Sequence, residues 1–397
     1  MEKIRVGIIG LGCRGFDLMR DIILANRKAE VTLVCDCYQD RVEKAVEEVK
    51  KQSGKAPEQF LDYQKALNKN IVDAVLISTS WQTHIPIAIK AMRAGIAVAM
   101  EVGNAYSIQQ CWDLVRAWEE THTPFMFMEN CCFGRRELMI LNMVQKSVLG
   151  EIVHCAGGYH HDLRHEITFG WENRHYRLDN YLLRNCENYP THELGPIAKI
   201  LNINHGNRML TLTSTASKSA GLHEYVIQKR PNDTQLLNRS FRQGDIVSTT
   251  IQCAGGETIA LTLDTCLPRY YSRGFTVRGT KGMYEEQTDS IFLTDQDEEF
   301  DYNWKEQFGN AEKYCEKYEH PIWQKYLKEG IQGGHDGMDW LIFGDFFDRL
   351  LNNQPMDIDV YDAAAWMCIG CLTENSIATG SMPVTIPDFT NGAWMTR

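Results

Sequence analysis

The chain has 397 residues, of which 44% are hydrophobic and 23% charged, so it holds enough apolar material for two globular domains of ordinary size. Its 52 acidic and 41 basic residues give a net charge of −11, which argues against nucleic acid as a partner. No apolar run approaches the length of a membrane span, and no cleavage pattern follows the first apolar residues. We therefore expect a cytoplasmic protein, or a periplasmic one if an export signal has been removed.

A glycine-rich turn follows the first apolar run, residues 6–10. Gly10, Gly12 and Gly15 have the G-x-G-x-x-G spacing and precede a helical pattern near 16–26. In this motif the first glycine allows a tight turn, the second lets the backbone approach a pyrophosphate, and the third lets the helix pack close to the sheet. Asp36 ends the next apolar run, where its carboxylate can bond an adenosine ribose and would repel a 2′-phosphate. These features predict NAD as the cofactor.

Residues 1–130 alternate between apolar runs and helical patterns. Strands are predicted near 6–10, 31–36, 74–78, 96–101 and 125–129, with further helices at 41–51, 85–94 and 108–120. This alternation predicts a doubly wound parallel sheet of the Rossmann type. Ligands of such sheets bind beyond the carboxyl ends of the strands, so the residues that follow each strand are the candidate cofactor contacts.

From residue 131 the pattern changes. A helix at 135–149 precedes β-branched strands near 152–161, 210–217, 246–254, 257–266 and 275–279, with a hairpin turn at 254–257. The polar stretch 286–312 is predicted to be a loop. Helices are predicted at 338–352 and 360–379, the second capped by Asp359 and stopped by Gly380. The predicted fold is α/β, with a Rossmann domain at 1–130 and, at 131–397, a substrate-binding and catalytic α/β domain whose open sheet is largely antiparallel.

The thirteen cysteines show no repeating frame, and most are expected to be small core residues. Cys368 and Cys371 have C-x-x-C spacing, but they lie in a predicted helix without a second pair. Zinc or redox chemistry at these two thiols is an alternative, and the sequence favours no metal site.

Tyrosine and histidine side chains are concentrated in the second domain. Strand alternation places Tyr159 and His161 on one face, and Tyr189 and His192 are neighbours on one surface of a helix start. Histidine titrates near neutral pH and tyrosine at higher pH, so such pairs suit the movement of a hydroxyl proton during hydride transfer. The alternatives are packing roles for these residues and a metal site built from His160, His161 and His165.

Several motifs carry a resemblance to known families. The two-domain plan resembles the Gfo/Idh/MocA oxidoreductases, although the lysine that those dehydrogenases carry is absent from Glu101-Val102-Gly103. The motifs that resemble glycoside hydrolase family 109, the NAD-dependent α-N-acetylgalactosaminidases, are Met128-Glu-Asn130, Gly158-Tyr-His-His-Asp162, Tyr189-Pro-Thr-His192, Gly333-Gly-His335, Gly337-Met-Asp339 and Pro387-Asp-Phe-Thr390.

This resemblance implies roles for particular positions. Together with the glycine turn, it implies NAD contacts at Gly10, Gly12, Cys13, Arg14, Gly15, Asp36, Trp81, His84, Glu101, Val102, Asn130 and Tyr189. It implies sugar contacts at Tyr159, His161, Arg177, Tyr189, His192 and Tyr271, with His192, Tyr189 and Tyr159 as the catalytic residues. The chain departs from the family pattern at Thr83, Glu193, Tyr270 and Asp336, which bears on the glycan more than on the chemistry.

The resemblance also implies a reaction. Terminal N-acetylgalactosaminides, α-linked ones above all, would be hydrolysed through transient oxidation at C3, removal of the C2 proton, elimination and addition of water. One alternative is a Gfo/Idh/MocA sugar dehydrogenase that releases a keto-sugar, which the missing lysine disfavours. The other is a non-catalytic NAD-sensing protein, which the Y-P-T-H motif disfavours. The expected partner is a small-molecule glycan, with no nucleic acid or membrane, and we expect a homo-oligomer.

Overall fold

A computed structural model describes residues 3–297 and 303–397, and these form two compact units. Unit 1 comprises the described residues up to 133 together with 329–364. Unit 2 comprises the described residues of 134–328 together with 365–397. The sequence predicts a single domain boundary at residue 130, which would place segment 329–364 in the second domain. In the structure this segment belongs to unit 1.

The first part of unit 1 alternates strands and helices as predicted. Its elements are β1 (Ile4–Ile9), α1 (Cys13–Asp17) with a π-helical continuation (Leu18–Ile23), β2 (Ala29–Cys35), α2 (Gln39–Ser53), β3 (Glu58–Phe60), α3 (Tyr63–Ala66), β4 (Ala74–Ile77), α4 (Trp81–Arg93), β5 (Ala97–Met100), α5 (Ile108–Thr121) and β6 (Phe125–Phe127). The strands form a parallel sheet in the order β3-β2-β1-β4-β5-β6. This order confirms the predicted Rossmann fold.

Burial explains why these strands read as continuous apolar runs. Every residue of β4, β5 and β6 is buried, as expected for a parallel sheet with helices on both faces. The strand order reverses between β1 and β4, so the carboxyl ends of the strands surround a crevice at that point. Residues that follow β1, β2, β4, β5 and β6 therefore meet at one edge of unit 1.

Unit 2 is built on a second sheet. Its elements are α6 (Arg135–Gln145), β7 (Ile152–His160), α7 (Arg164–Thr168), α8 (Arg177–Leu183), α9 (Thr191–Ile200), β8 (Met209–Ala216), α10 (Gly221–Lys229), α11 (Thr234–Leu237), β9 (Ile246–Cys253), β10 (Thr258–Asp264), β11 (Thr276–Gly279), β12 (Gly282–Glu285), β13 (Ser290–Leu293), α12 (Cys315–Tyr318), α13 (Pro321–Glu329) and β14 (Val384–Thr385). The strand order is β13-β12-β11-β7-β10-β9-β8-β14.

The pairing in this sheet confirms a largely antiparallel, open arrangement. β7 and β10 pair in parallel, and the other pairings among the described residues are antiparallel. Along β9 and β10 buried positions alternate with more exposed ones, because one face of each strand packs on the core. The predicted turn between them is confirmed, with Gly256 at a φ of 98°.

The prediction of a loop over 286–312 is wrong for its described residues. β13 lies within it and pairs with β12, and 3₁₀ turns cover Trp304–Gln307 and Asn310–Tyr314, while 298–302 lie outside the described residues. The Asn310 side chain continues the strand pairing, because its Oδ1 accepts from the Ile291 N–H at 2.7 Å and its amide donates to the Ile291 carbonyl at 2.8 Å. A strand of four residues, with backbone groups hydrogen-bonded by a distant side chain, has too little periodicity to detect in the sequence.

The late helices are confirmed. α14 (Met338–Leu351) follows a 3₁₀ turn at His335–Gly337, and α15 is Val360–Ala378. Asp359 caps α15, since its Oδ1 accepts the N–H groups of Tyr361 and Asp362 at 2.9 and 3.2 Å. In the part of the chain that the structure describes, no helix is both long and apolar enough to cross a bilayer.

Candidate functional site

The three glycines after β1 have different surroundings. Gly10 has a φ of 96°, and a Cβ there would lie 2.6 Å from the backbone of Ser78. A Cβ at Gly15 would overlap the carbonyl oxygen of Gly10, so only glycine lets α1 approach the turn this closely. Gly12 differs, because the nearest atom to a Cβ would be the Arg41 Nη1 at 3.8 Å. The turn is therefore closed at its first and third glycines and open at the second, as an approaching pyrophosphate needs.

This contrast yields a matched pair of variants. We expect Gly12→Ala to fold with a Tm close to that of the unmodified protein, since its φ of −62° suits alanine and its Cβ would meet only the Arg41 side chain, at 3.8 Å. Its Cβ should obstruct the pyrophosphate and weaken NAD binding by about tenfold or more. Gly15→Ala should instead destabilise the fold by about 2 kcal/mol, the scale of overpacking. Calorimetric NAD titration and thermal unfolding of both variants check this, and equal effects at the two positions would contradict it.

Asp36 lies directly after β2 and supports the same turn. Its side chain is buried, and its Oδ2 accepts the Leu11 N–H at 2.7 Å while its Oδ1 accepts the Tyr38 N–H at 3.0 Å. The Arg41 guanidinium lies 3.7 Å from Oδ2. The carboxylate thus joins the end of β2 to the glycine turn, at the position where an acidic residue meets an adenosine ribose in this fold.

Trp81 and His84 begin α4 and are buried within unit 1. Burial lowers the pKa of His84 to about 4, so its imidazole is neutral, and its Nε2 donates to the Thr79 carbonyl at 3.0 Å. Gly103 packs against both side chains, because a Cβ there would lie 2.6 Å from the Trp81 ring and 3.2 Å from the His84 Nδ1. The loop after β5 therefore rests on the first turn of α4.

A cluster of charged and polar side chains surrounds Asp339, the second residue of α14. Asp339 is 2% exposed, and its two oxygens accept from the Arg14 guanidinium at 2.7 and 2.8 Å. Its Oδ1 also accepts from the Asn130 amide at 2.9 Å, and the His335 Nδ1 lies 2.8 Å from Oδ2. Glu101 bonds the same guanidinium through its Oε1, at 2.9 and 3.1 Å. We call Arg14, Glu101, Asn130, His335 and Asp339 the Asp339 cluster.

The Asp339 cluster joins three of the predicted cofactor residues to segment 329–364, for which the sequence predicts no contact with cofactor or sugar. Arg14, Glu101 and Asn130 are the predicted contacts, and His335 and Asp339 come from segment 329–364. The latter two stand in the Gly333-Gly-His335 and Gly337-Met-Asp339 motifs, where glycines surround the polar residues. That concentration of glycine was the signal in the sequence that could have pointed to this segment. It reflects an unusual backbone, because His335 and Gly337 have φ values of 50° and 89°.

In unit 2 the structure brings together all of the predicted sugar contacts. Tyr159 and His161 lie at the end of β7, and the Tyr159 hydroxyl is 3.0 Å from the His161 Nδ1. The Tyr189 hydroxyl is 3.3 Å from the Nε2 of His192, which lies in the first turn of α9. The two tyrosine rings are 4.4 Å apart between centroids. These four side chains, two hydrogen-bonded pairs in ring contact, form what we call the Tyr–His cluster.

Tyr271 and Arg177 border the Tyr–His cluster. The Tyr271 ring lies 5.1 Å from that of His161 and is about half exposed. The Arg177 guanidinium lies 5.2 Å over the Tyr189 ring and bonds Glu166 at 3.2 Å. His160 points to the other face of β7, where its ring packs against Gly158 and Gly274. His165 contacts Tyr225. His160 and His161 of the alternative metal site therefore lie on opposite faces of the strand.

Burial and charge set the protonation of the Tyr–His cluster. Burial raises the pKa of Tyr159, and the opposing charge and hydrogen bond of Arg177 reduce that shift. Burial also lowers the pKa of His161, an effect that the charge of Arg177 reinforces. Tyr159 is thus a neutral phenol beside a neutral imidazole near pH 7. Such a pair can donate a proton from the tyrosine or pass one to the histidine.

Glu193 is the departure from the family pattern that lies nearest this chemistry. It is 2% exposed and follows His192 in α9. A Cβ at Gly157 would lie 2.7 Å from the Glu193 Cβ, so glycine at 157 makes room for this side chain beside β7. The charge of Glu193 contributes to the raised pKa of Tyr159. The carboxylate therefore lies close enough to influence the protonation of the cluster.

Comparison with family models divides the chain into two parts. Residues 133–396 match the model described as "Glycosyl hydrolase 109, C-terminal domain". Residues 4–128 match the model "Oxidoreductase family, NAD-binding Rossmann fold". The two matches leave almost no part of the chain uncovered.

Two curated proteins show how far the similarity extends. A glycosyl hydrolase family 109 protein of Stenotrophomonas maltophilia is 37% identical, over 100% of this chain and 91% of that protein. An alpha-N-acetylgalactosaminidase of Tannerella forsythia is 35% identical, over 99% of this chain and 88% of that protein. Among solved structures, scyllo-inositol dehydrogenase from Lactobacillus casei with bound NAD(H) and scyllo-inositol superposes with a TM-score of 0.67 at 15% identity, over 97% of this chain and 99% of that one. The last similarity concerns the fold.

Proposed function

Because the chain belongs to glycoside hydrolase family 109 and is an NAD-dependent glycoside hydrolase, we propose that it releases terminal N-acetylgalactosamine, with α-linked residues as the preferred substrates. The name of the Tannerella forsythia relative supports this substrate. The observation that carries the proposal is the Tyr–His cluster of unit 2, in which two tyrosine–histidine pairs converge beside Arg177. Sugar oxidation followed by elimination needs more than one proton transfer, and this cluster offers two separate routes for protons.

The residues of unit 1 fit NAD. The open side of Gly12 and the first N–H groups of α1, at Cys13 and Arg14, suit the pyrophosphate, and Asp36 suits the adenosine ribose. Glu101, Val102 and Asn130, at the ends of β5 and β6, lie on the other half of the sheet. When bound, NAD⁺ supplies a hydride acceptor for C3 of the sugar and a source of hydride at the end of the turnover.

His192 is assigned to the C3 hydroxyl proton. Its Nε2 lies within hydrogen-bond distance of the Tyr189 hydroxyl, so Tyr189 can orient the imidazole or carry its proton onward. Loss of this proton accompanies formation of the C3 ketone, and its return accompanies reduction of that ketone. The same histidine therefore serves both directions of the proton transfer.

Tyr159 is assigned to the proton at C2 or to the leaving group. A ketone at C3 acidifies the C2 hydrogen, and its removal forms the C1–C2 double bond while the bond from C1 to the glycosidic oxygen breaks. The neighbouring His161 can accept the proton of the phenol, and Arg177 favours the phenolate by its charge. Water then adds at C1 and a proton returns to C2. Arg177 and Tyr271 would position the sugar.

Hydrolysis assays test this function directly. Protein stripped of its cofactor should not cleave 4-nitrophenyl α-N-acetylgalactosaminide, and addition of NAD⁺ should restore cleavage without accumulation of free NADH. The corresponding galactoside, which lacks the acetamido group, and the β-anomer serve as comparison substrates and should react more slowly. Release of one NADH for each sugar, with a keto-sugar product and no free nitrophenol, would instead establish the dehydrogenase alternative.

A further inference from the structure

The Asp339 cluster holds two carboxylates and one guanidinium. Two carboxylates, Glu101 and Asp339, bond the single guanidinium of Arg14. Burial favours the neutral form of Asp339, but the hydrogen bonds from Arg14 and His335 outweigh it and hold its pKa well below the ordinary value. Asp339 is therefore ionised at neutral pH. Its burial, 2% exposed, also means that water screens its charge poorly.

The topology of unit 1 places this charge on one half of the cofactor site. Dinucleotides lie across the point where the strand order reverses, here between β1 and β4. Asp36, at the end of β2, marks the half that binds the adenosine ribose. Glu101 and Asn130 follow β5 and β6 on the opposite half, and both belong to the Asp339 cluster. The two carboxylates of the cluster therefore lie on the nicotinamide half.

The two forms of the cofactor differ in charge at that end. The nicotinamide ring is positive in NAD⁺ and neutral in NADH, whereas the rest of the molecule is the same. We propose that Asp339 and Glu101, around Arg14, make the protein bind NAD⁺ in preference to NADH. In this role Asp339 is a positioning residue that also supplies charge, since it holds Arg14 and Asn130 in place. His335, which lies against both Arg14 and Asp339, is the other titratable group of the cluster.

This inference rests on the proposed function, in which hydride returns to the sugar in every turnover and oxidised cofactor is the resting form. A site that binds NADH more weakly raises the driving force for that return. It also makes a chain that has lost its substrate half-way through turnover release NADH and take up NAD⁺. Preference for the oxidised form thus protects the enzyme against arrest in its reduced state.

An exchange experiment measures the preference. The purified protein is equilibrated with NAD⁺ and NADH mixed in known ratios. Free cofactor is removed by rapid filtration, and the bound forms are separated and quantified. We expect bound cofactor to be enriched in NAD⁺, and Asp339→Asn to reduce that enrichment by about fivefold, as expected for one partly screened charge. Asp339→Glu, which keeps the charge, should retain most of the enrichment.

Two further variants make the result decisive. Glu101→Gln should reduce the enrichment as Asp339→Asn does, and it provides the test if Asp339→Asn does not fold. Asp348→Asn is the matched control, because Asp348 is an exposed acid nine residues further along α14, paired with Lys28 at 2.6 Å, and should leave the enrichment unchanged. Equal losses of affinity for both forms would show a purely structural role and overturn the proposal, as would an unmodified protein without preference. Glycosidase activity does not enter the measurement, so failure of the proposed function would be seen separately.

Discussion

Replacement of His192 by alanine is expected to lower the turnover number by about 100-fold or more, the usual loss when a general base is removed. The imidazole lies in the first turn of α9 with its Nε2 3.3 Å from the Tyr189 hydroxyl, and the proposed reaction uses it in both oxidation and reduction at C3. Tyr189→Phe keeps the ring contact with Tyr159 but removes the hydroxyl, so its loss should be smaller, about tenfold.

His154→Ala is the matched control for this variant. His154 lies in β7, the strand that ends at Tyr159, but its Nδ1 lies 2.8 Å from the Thr258 hydroxyl, outside the Tyr–His cluster. Its loss should leave turnover within about twofold of the unmodified protein. Steady-state kinetics, thermal unfolding and the content of bound nicotinamide are measured for all three variants. Near-normal turnover of His192→Ala in a folded, cofactor-loaded protein would show that His192 is a packing residue.

Hydrolysis in D₂O is expected to place deuterium at C2 of the released sugar. In the proposed reaction the C2 hydrogen leaves in every turnover, and the groups assigned to its transfer, the Tyr159 hydroxyl and the neighbouring His161, exchange their protons with solvent. A 3-O-methyl substrate cannot be oxidised at C3 and should be inert even though its glycosidic bond is unchanged. Mass spectrometry and NMR of the product measure the label, and release of nitrophenol measures the cleavage.

A variant of Tyr159 connects this labelling to a residue. Tyr159→Phe keeps the aromatic contact with Tyr189 and should lose deuterium incorporation and hydrolysis together, because both require the phenolic oxygen to take up and return a proton. Tyr270→Phe, at a side chain that is 95% exposed, is the control and should incorporate deuterium as the unmodified protein does. Ready hydrolysis of the 3-O-methyl substrate, with no label at C2 of the ordinary product, would exclude the redox route and indicate a conventional hydrolase.

The sequence predicts the parts of this molecule that depend on local spacing. The glycine turn, the alternation of strands and helices in the Rossmann domain and the hairpin between β9 and β10 follow from residues close together in the chain, and the structure confirms them. The pairing of Tyr159 with His161 follows from strand alternation, and that of Tyr189 with His192 from helical spacing. The chemical roles of these residues stay predictions until the variants are measured.

Features that depend on contacts between distant residues could not be predicted from the sequence. β13 is satisfied by Asn310, nineteen residues after Ile291, and no local pattern reveals such a bond. Asp339 bonds Arg14 across 325 positions of sequence, and its own neighbourhood shows only glycines and an ordinary helix start. A single carboxylate in the first turn of a helix is also common for reasons of the helix dipole. Only the glycines at 333, 334 and 337 set Asp339 apart from an ordinary helix-capping acid.

The late position of Asp339 affects how the protein is made. During synthesis the ribosome releases the strands of the Rossmann sheet first, at about 5–20 residues per second, and the rest of unit 1 emerges only after most of unit 2. Until then Arg14 and Asn130 lack their buried acidic partner, so the carboxyl edge of the nascent sheet stays incomplete. The order of biosynthesis therefore delays completion of the Asp339 cluster until nearly the whole polypeptide has left the ribosome, and a fragment cut at residue 130 would never complete it.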